Sequence, residues 1–209
     1  MRTRWMQMVF VLTGLAALCS TAACAQTDVA ASLYGAFNGT TTGNDIIQSP
    51  SNAAGGLLEV RHIAKPWAGY EGTYAFNRAN QVYTATVVPV ACPIGGPCGP
   101  VSVPVSANAH EVTGDWVASV KVSSFRPFAL AGGGILFDAP SGGQASTTTT
   151  TKPVFVYSAG VDWRLIPHIG LRLQYRGNLY KAPDLTTLFT STGAFTHTAE
   201  PMIGVYFRL

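Results

Sequence analysis

Residues 169–179 read Ile169-Gly170-Leu171-Arg172-Leu173-Gln174-Tyr175-Arg176-Gly177-Asn178-Leu179. Successive side chains on a strand point to opposite sides. Leu171, Leu173, Tyr175 and Leu179 therefore share one surface, and Arg172, Gln174, Arg176 and Asn178 share the other. Such a strand has two possible settings. Either its apolar face lines a soluble core with the arginines in solvent, or that face meets lipid and the arginines point into a barrel.

Composition weighs on the choice. Charged residues make up 11% of the 209-residue chain, against about 25% in an ordinary soluble domain. A secreted sandwich fills its solvent faces with lysine and glutamate, whereas this chain uses glycine, alanine, serine and threonine there. Lipid is favoured outside, and a soluble secreted barrel holding an apolar ligand is the alternative. The N-terminus carries Arg2 and Arg4, an apolar run over 8–18, and small residues up to Ala23-Cys24-Ala25 before Gln26. That run is too short for a spanning helix, which needs about 20 residues, and its flanks are those of a secretory signal. Residues 1–25 are expected to be a cleaved signal peptide and 26–209 one domain; a lipoprotein cut before Cys24 is the rival. Removing 25 residues from 209 leaves 184, with 11 basic residues once Arg2 and Arg4 go, against 10 acidic ones. So even a charge balance gives no reason to expect nucleic acid as a partner. Cys92 and Cys98 remain in a chain exported to an oxidising compartment, and a disulfide between them is expected to stiffen a loop.

Eight strand-like stretches recur with turn signals between them, and none has a helical period. They fall near 28–38, 55–63, 68–77, 111–120, 127–137, 155–164, 169–179 and from 196 to the end. The fifth carries Phe128, Leu130 and Leu136 on one face and Ala129, Ala131 and Gly133 on the other. The connections alternate: long over 39–53, short at 65, long over 78–105, short near 123, long over 138–153, short at 166, long over 181–193. Prolines in 78–105 argue against a central strand there, and the Ser/Thr-rich run 146–151 reads as a flexible polar loop. The alternation is directional. It is the order of an even-stranded membrane barrel with both termini in the periplasm and long loops outside.

Three segments resemble the OmpA-type, eight-stranded outer-membrane barrels. They are Arg126-Pro127-Phe128-Ala129-Leu130-Ala131-Gly132-Gly133-Gly134, the hairpin from Tyr157 to Arg176, and the C-terminal Gly204-Val205-Tyr206-Phe207-Arg208-Leu209. The last is similar to the family's assembly signal, with Gly204, Phe207 and Leu209 as its marks; the family usually ends in phenylalanine, from which Leu209 departs. The resemblance implies an all-β, eight-stranded antiparallel transmembrane up-and-down barrel in a Gram-negative outer membrane. It also implies outer-membrane lipid and the barrel-insertion machinery as partners.

The inward face of such a barrel would carry Glu59, Arg61, Glu71, Glu111, Asp115, Asp162, Arg164, Arg172, Gln174 and Arg176. Eight strands enclose a space just wide enough for side chains to fill, so these charges are expected to pair into a plug. The expected function is structural or surface-interactive, through four extracellular loops and a possible ligand there. The alternative is a narrow or gated pore for small solutes. Catalysis needs a nucleophile, a base and an orienter in register. His62, His110, His168 and His197 are scattered, with no serine set for attack. An enzyme, a cofactor and a metal site are therefore not expected. Trp67, Trp116, Trp163, Tyr70, Tyr157 and Tyr175 fall where interfacial aromatic girdles belong.

Overall fold

The alternation that marks 169–179 recurs around the molecule, and the chain closes on itself. The computed structural model describes residues 26–86, 101–141, 146–189 and 191–209. Its strands are β1 (Gln26–Asn38), β2 (Thr41–Gly43), β3 (Ile46–Pro50), β4 (Ala53–Lys65), β5 (Ala68–Arg78), β6 (Gln81–Ala85), β7 (Ser102–Val105), β8 (Ala107–Ser119), β9 (Phe125–Pro140), β10 (Thr150–Arg164), β11 (Ile169–Lys181) and β12 (Phe195–Arg208). Eight of them form a closed barrel in the order β1-β12-β11-β10-β9-β8-β5-β4. Every pair is antiparallel, and β1 completes the ring by pairing with both β4 and β12. Closure leaves no sheet edge without backbone partners. The expected signal peptide and the Cys92–Cys98 bridge lie outside the described residues.

The outer surface is apolar. Leu33, Leu58, Val112, Trp116, Leu173, Ile203 and Phe207 all point outward, Leu33 with 71% and Trp116 with 77% of its surface uncovered. Soluble monomers rarely expose so extensive an apolar surface, which suits hydrocarbon. The soluble-barrel alternative required the reverse, with apolar faces inward. Aromatic rings gather toward both rims: Phe125 stacks on Trp163 at the short-turn end, and at the other end Tyr74 and Tyr157 bond the His110 and His197 rings at 2.8 and 2.9 Å.

β9 departs from the pattern. Its large residues Phe128, Leu130 and Leu136 are buried in the lumen, and Ala129 and Ala131 face outward. With Ile63, Ala109, Val117, Val154 and Val156 they form an apolar cluster inside the barrel. The interior is therefore a mixed core in which oil and charge share the lumen. Gly160, directly opposite Phe128 on β10, makes room for that ring, because a Cβ there would strike it and the Leu173 carbonyl.

Two long connections read as loops, 39–53 and 78–105, contain strands. β2, β3, β6 and β7 make a second, four-stranded sheet above the long-loop end. The β2–β3 hairpin turns on Asn44 and Asp45, both at positive φ (50° and 61°), which are values that two-residue hairpin loops demand. β7 tolerates Pro104 because it lies at the edge of this small sheet. Likewise β9 and β10 extend into the loop expected over 138–153, pairing as far as Asp138 with Thr150.

Leu173→Arg, which puts a charge mid-strand on the lipid face, should cost about 2–4 kcal/mol. Guanidinium unfolding from lipid vesicles measures this, and the same change at solvent-facing Lys121 should have almost no effect.

Candidate functional site: the lumen and its cover

Strand register sets the charges against one another. Arg61 on β4 lies opposite Glu71 on β5, and Asp162 on β10 lies opposite Arg172 on β11. Each arginine first pairs with its cross-strand neighbour: Arg61 Nε lies 2.5 Å from Glu71, and Arg172 Nε lies 2.7 Å from Asp162. Both then reach across the lumen. Arg61 donates to Asp162 at 3.2 Å, and Arg172 donates to Glu59 at 3.2 Å and Glu71 at 3.4 Å. The Ser32 hydroxyl donates to the free side of Glu59 at 2.9 Å. Arg61 and Arg172 have no exposed surface.

Aromatic rings in the lumen contribute directly. The Arg61 guanidinium lies 3.9 Å from the centre of the Phe128 ring, and that of Arg172 lies 5.4 Å from Phe128 and 5.8 Å from Tyr206. A guanidinium plane is weakly hydrated and stacks on aromatic faces. Four residues on from Arg172, about 13 Å along the strand, Arg176 builds a second layer. It donates to Glu111 at 2.5 Å and to the Thr73 and Thr113 hydroxyls, and Asn178 donates to the other Glu111 oxygen at 3.1 Å.

Seven of the nine charges expected in the network are joined in ion pairs: Glu59, Arg61, Glu71, Glu111, Asp162, Arg172 and Arg176. Two need correction. Arg164 is half-buried and makes none of these pairs, because β10 has reached the short-turn rim there; it lines a 10 Å³ pocket with Arg126 and Arg208. Asp115 does face inward but forms no ion pair among the described residues: it takes a hydrogen bond from the Thr113 hydroxyl, at 2.8 Å, which in turn accepts from Arg176. Residues that alternation alone did not single out also line the lumen. Asp28 pairs with Arg208 at 3.1 Å, and Arg126, Asp138 and Glu200 are buried. Their parity along β1, β9 and β12 was the available signal, obscured by the apolar inward residues beside them.

The mouth is covered. Residues 182–187 cross it, held by Tyr83 and Gln48 of the small sheet: the Tyr83 hydroxyl donates to the Pro183 carbonyl at 2.7 Å and accepts from the Leu185 amide at 3.1 Å, and Gln48 donates to Pro183 at 3.0 Å. Burial pushes the Tyr83 phenol above its ordinary range, so it remains a donor. Leu185 is fully buried among Ile46, Tyr83, Val105 and Ala107. Lys152 and Asp184 tie the segment to β10 at 2.9 Å. At the C-terminus, Gly204 packs where a Cβ would strike Ser32 and the Ala31 carbonyl, while Phe207 and Leu209 point outward.

No protein-family model matches the sequence, and no curated protein matches it significantly. Solved structures do. The chain has the fold of the eight-stranded outer-membrane barrels. It is similar to Ail, the attachment invasion locus protein of Yersinia pestis, crystallised with the heparin analogue sucrose octasulfate (14% identity, 88% of this chain and 99% of that one, TM-score 0.53). Neisserial surface protein A aligns at 13% identity over 87% and 96%, TM-score 0.53. The outer membrane protein OprG of Pseudomonas aeruginosa aligns at 9% identity over 88% and 96%, TM-score 0.57. Among these barrels the present chain has the expected strand number, closure and up-and-down order.

Arg172→Met removes the ion-pair partner of Glu59 and leaves Asp162 with Arg61 alone, and should lower unfolding free energy by about 3–5 kcal/mol. Lys152→Met, removing a partly exposed bridge, should lower it by under about 1 kcal/mol. Guanidinium unfolding in vesicles compares them.

Proposed function

We propose that the protein sits in a bacterial outer membrane as a barrel closed by its own side chains. On this reading its role is structural or surface-interactive and is carried by the covered long-loop end. The observation behind the closed interior is the crossing of Arg61 and Arg172 from one wall to the other, both with no exposed surface. A solute passing through would have to break several buried ion pairs at once. The short turns and both termini then face the periplasm, as the order of connections in such barrels has it. The small sheet and residues 182–187 face outward, where a ligand of the cell surface or surroundings would meet them. Gly204, Phe207 and Leu209 serve recognition by the insertion machinery.

Purified protein in a planar bilayer should show no reproducible unitary openings. Regular conductance steps would contradict the closed interior and support the narrow-pore reading.

A further inference from the structure

Above the Arg176 layer the lumen is not filled. A cavity of about 30 Å³ lies there beneath the cover, roofed by Gln81 and Pro183. Its wall carries three carboxylates, Glu111, Asp138 and Glu200, with the Asn178 amide and the Tyr180 phenol beside them. Arg176 neutralises Glu111. It lies opposite Glu200 in strand register, but its guanidinium is directed to Glu111. Lys152 on β10 pairs with Asp184. Among the described residues neither Asp138 nor Glu200 has an ion-pair partner, although they are 1% and 2% exposed. Asp138 Oδ2, Glu200 Oε2 and Asn178 Oδ1 accept no hydrogen bond from any described group. Buried carboxylates are strongly disfavoured without a counter-charge.

We propose that this cavity binds one divalent, oxygen-liganded cation of the calcium class. Two carboxylates that form no ion pair among the described residues match its charge, and the unpartnered atoms of Asp138, Glu200 and Asn178 are oxygens, the ligand type that hard cations take. Calcium accepts an irregular shell of carboxylate, amide and water oxygens, whereas magnesium demands a near-ideal octahedron and keeps several waters. Among the described residues no three His, Cys, Asp or Glu side chains converge as a metal cluster, so the proposed shell needs the Asn178 oxygen and water beside the two carboxylates. A bound ion would link β9, β11 and β12 under the cover.

The test uses the full mature chain refolded in dodecyl maltoside and stripped with a chelator, with calcium binding read by titration calorimetry and thermal unfolding by gel mobility. Calcium should bind one-to-one and raise the unfolding midpoint, with magnesium at equal concentration doing neither. Asp138→Asn and Glu200→Gln should each weaken calcium binding at least about tenfold, while Asp45→Asn in the exposed β2–β3 turn leaves it unchanged. A folded wild type that takes up no calcium overturns the proposal. So does calcium binding retained in the Asp138→Asn, Glu200→Gln double variant. Single variants that gain heat resistance while the wild type ignores calcium overturn it too, since protons then neutralise the two acids.

Discussion

Arg172 has no exposed surface, yet its guanidinium is held by Asp162, Glu59 and Glu71 from three different strands. That arrangement follows from the size of the enclosure. Eight strands close around a space that side chains alone can fill, so an inward-facing charge has no bulk water and must find its partner across the lumen. The polar half of the alternation in 169–179 therefore changes character once the strand is rolled into a barrel. In a soluble sheet Arg172 and Arg176 would be solvated charges of little energetic weight. Here each is needed to keep its carboxylates from being stranded.

The same constraint explains why β9 runs against the simple rule. A lumen of ion pairs alone would leave guanidinium faces and aliphatic stems without neighbours. Phe128 supplies a surface for both Arg61 and Arg172, and Leu130 and Leu136 fill the space beside it. Gly160 and Gly204 are small because large neighbours or a nearby backbone occupy the room a side chain would need. Outside, the apolar residues can be approximate in shape, since lipid adapts to them.

The barrel itself was legible. Its eight strands and their alternating connections follow from period-two patterning, and the inward placement of Arg61, Glu71, Asp162 and Arg172 from parity along each strand. The rest depends on tertiary placement. Whether a given inward charge meets a partner is decided by shear and by which strands face each other across the lumen, which a single strand does not encode. Arg164 looked inward by parity but lies at the rim, while Glu200 looked unremarkable between Ala199 and Pro201 and lies in the cavity. The second sheet was hidden by its short strands and by Pro104, although Asn44-Asp45 was a usable hairpin signal. Residues 182–187 carry no regular pattern, and their position depends on partners some hundred residues earlier, Tyr83 and Gln48.

On the proposed reading, a barrel closed by its own side chains makes its contacts at its outer end. The likeness to Ail, surface protein A and OprG shows the fold alone. The most direct measurement of the central claim is hydrogen exchange at the arginine Nε–H groups, followed by nitrogen-15 spectra of the refolded protein. Arg61, Arg172 and Arg176 should exchange with water far more slowly than exposed Arg78. Equal rates for all four would mean that water enters the lumen freely and that the ion pairs do not close it.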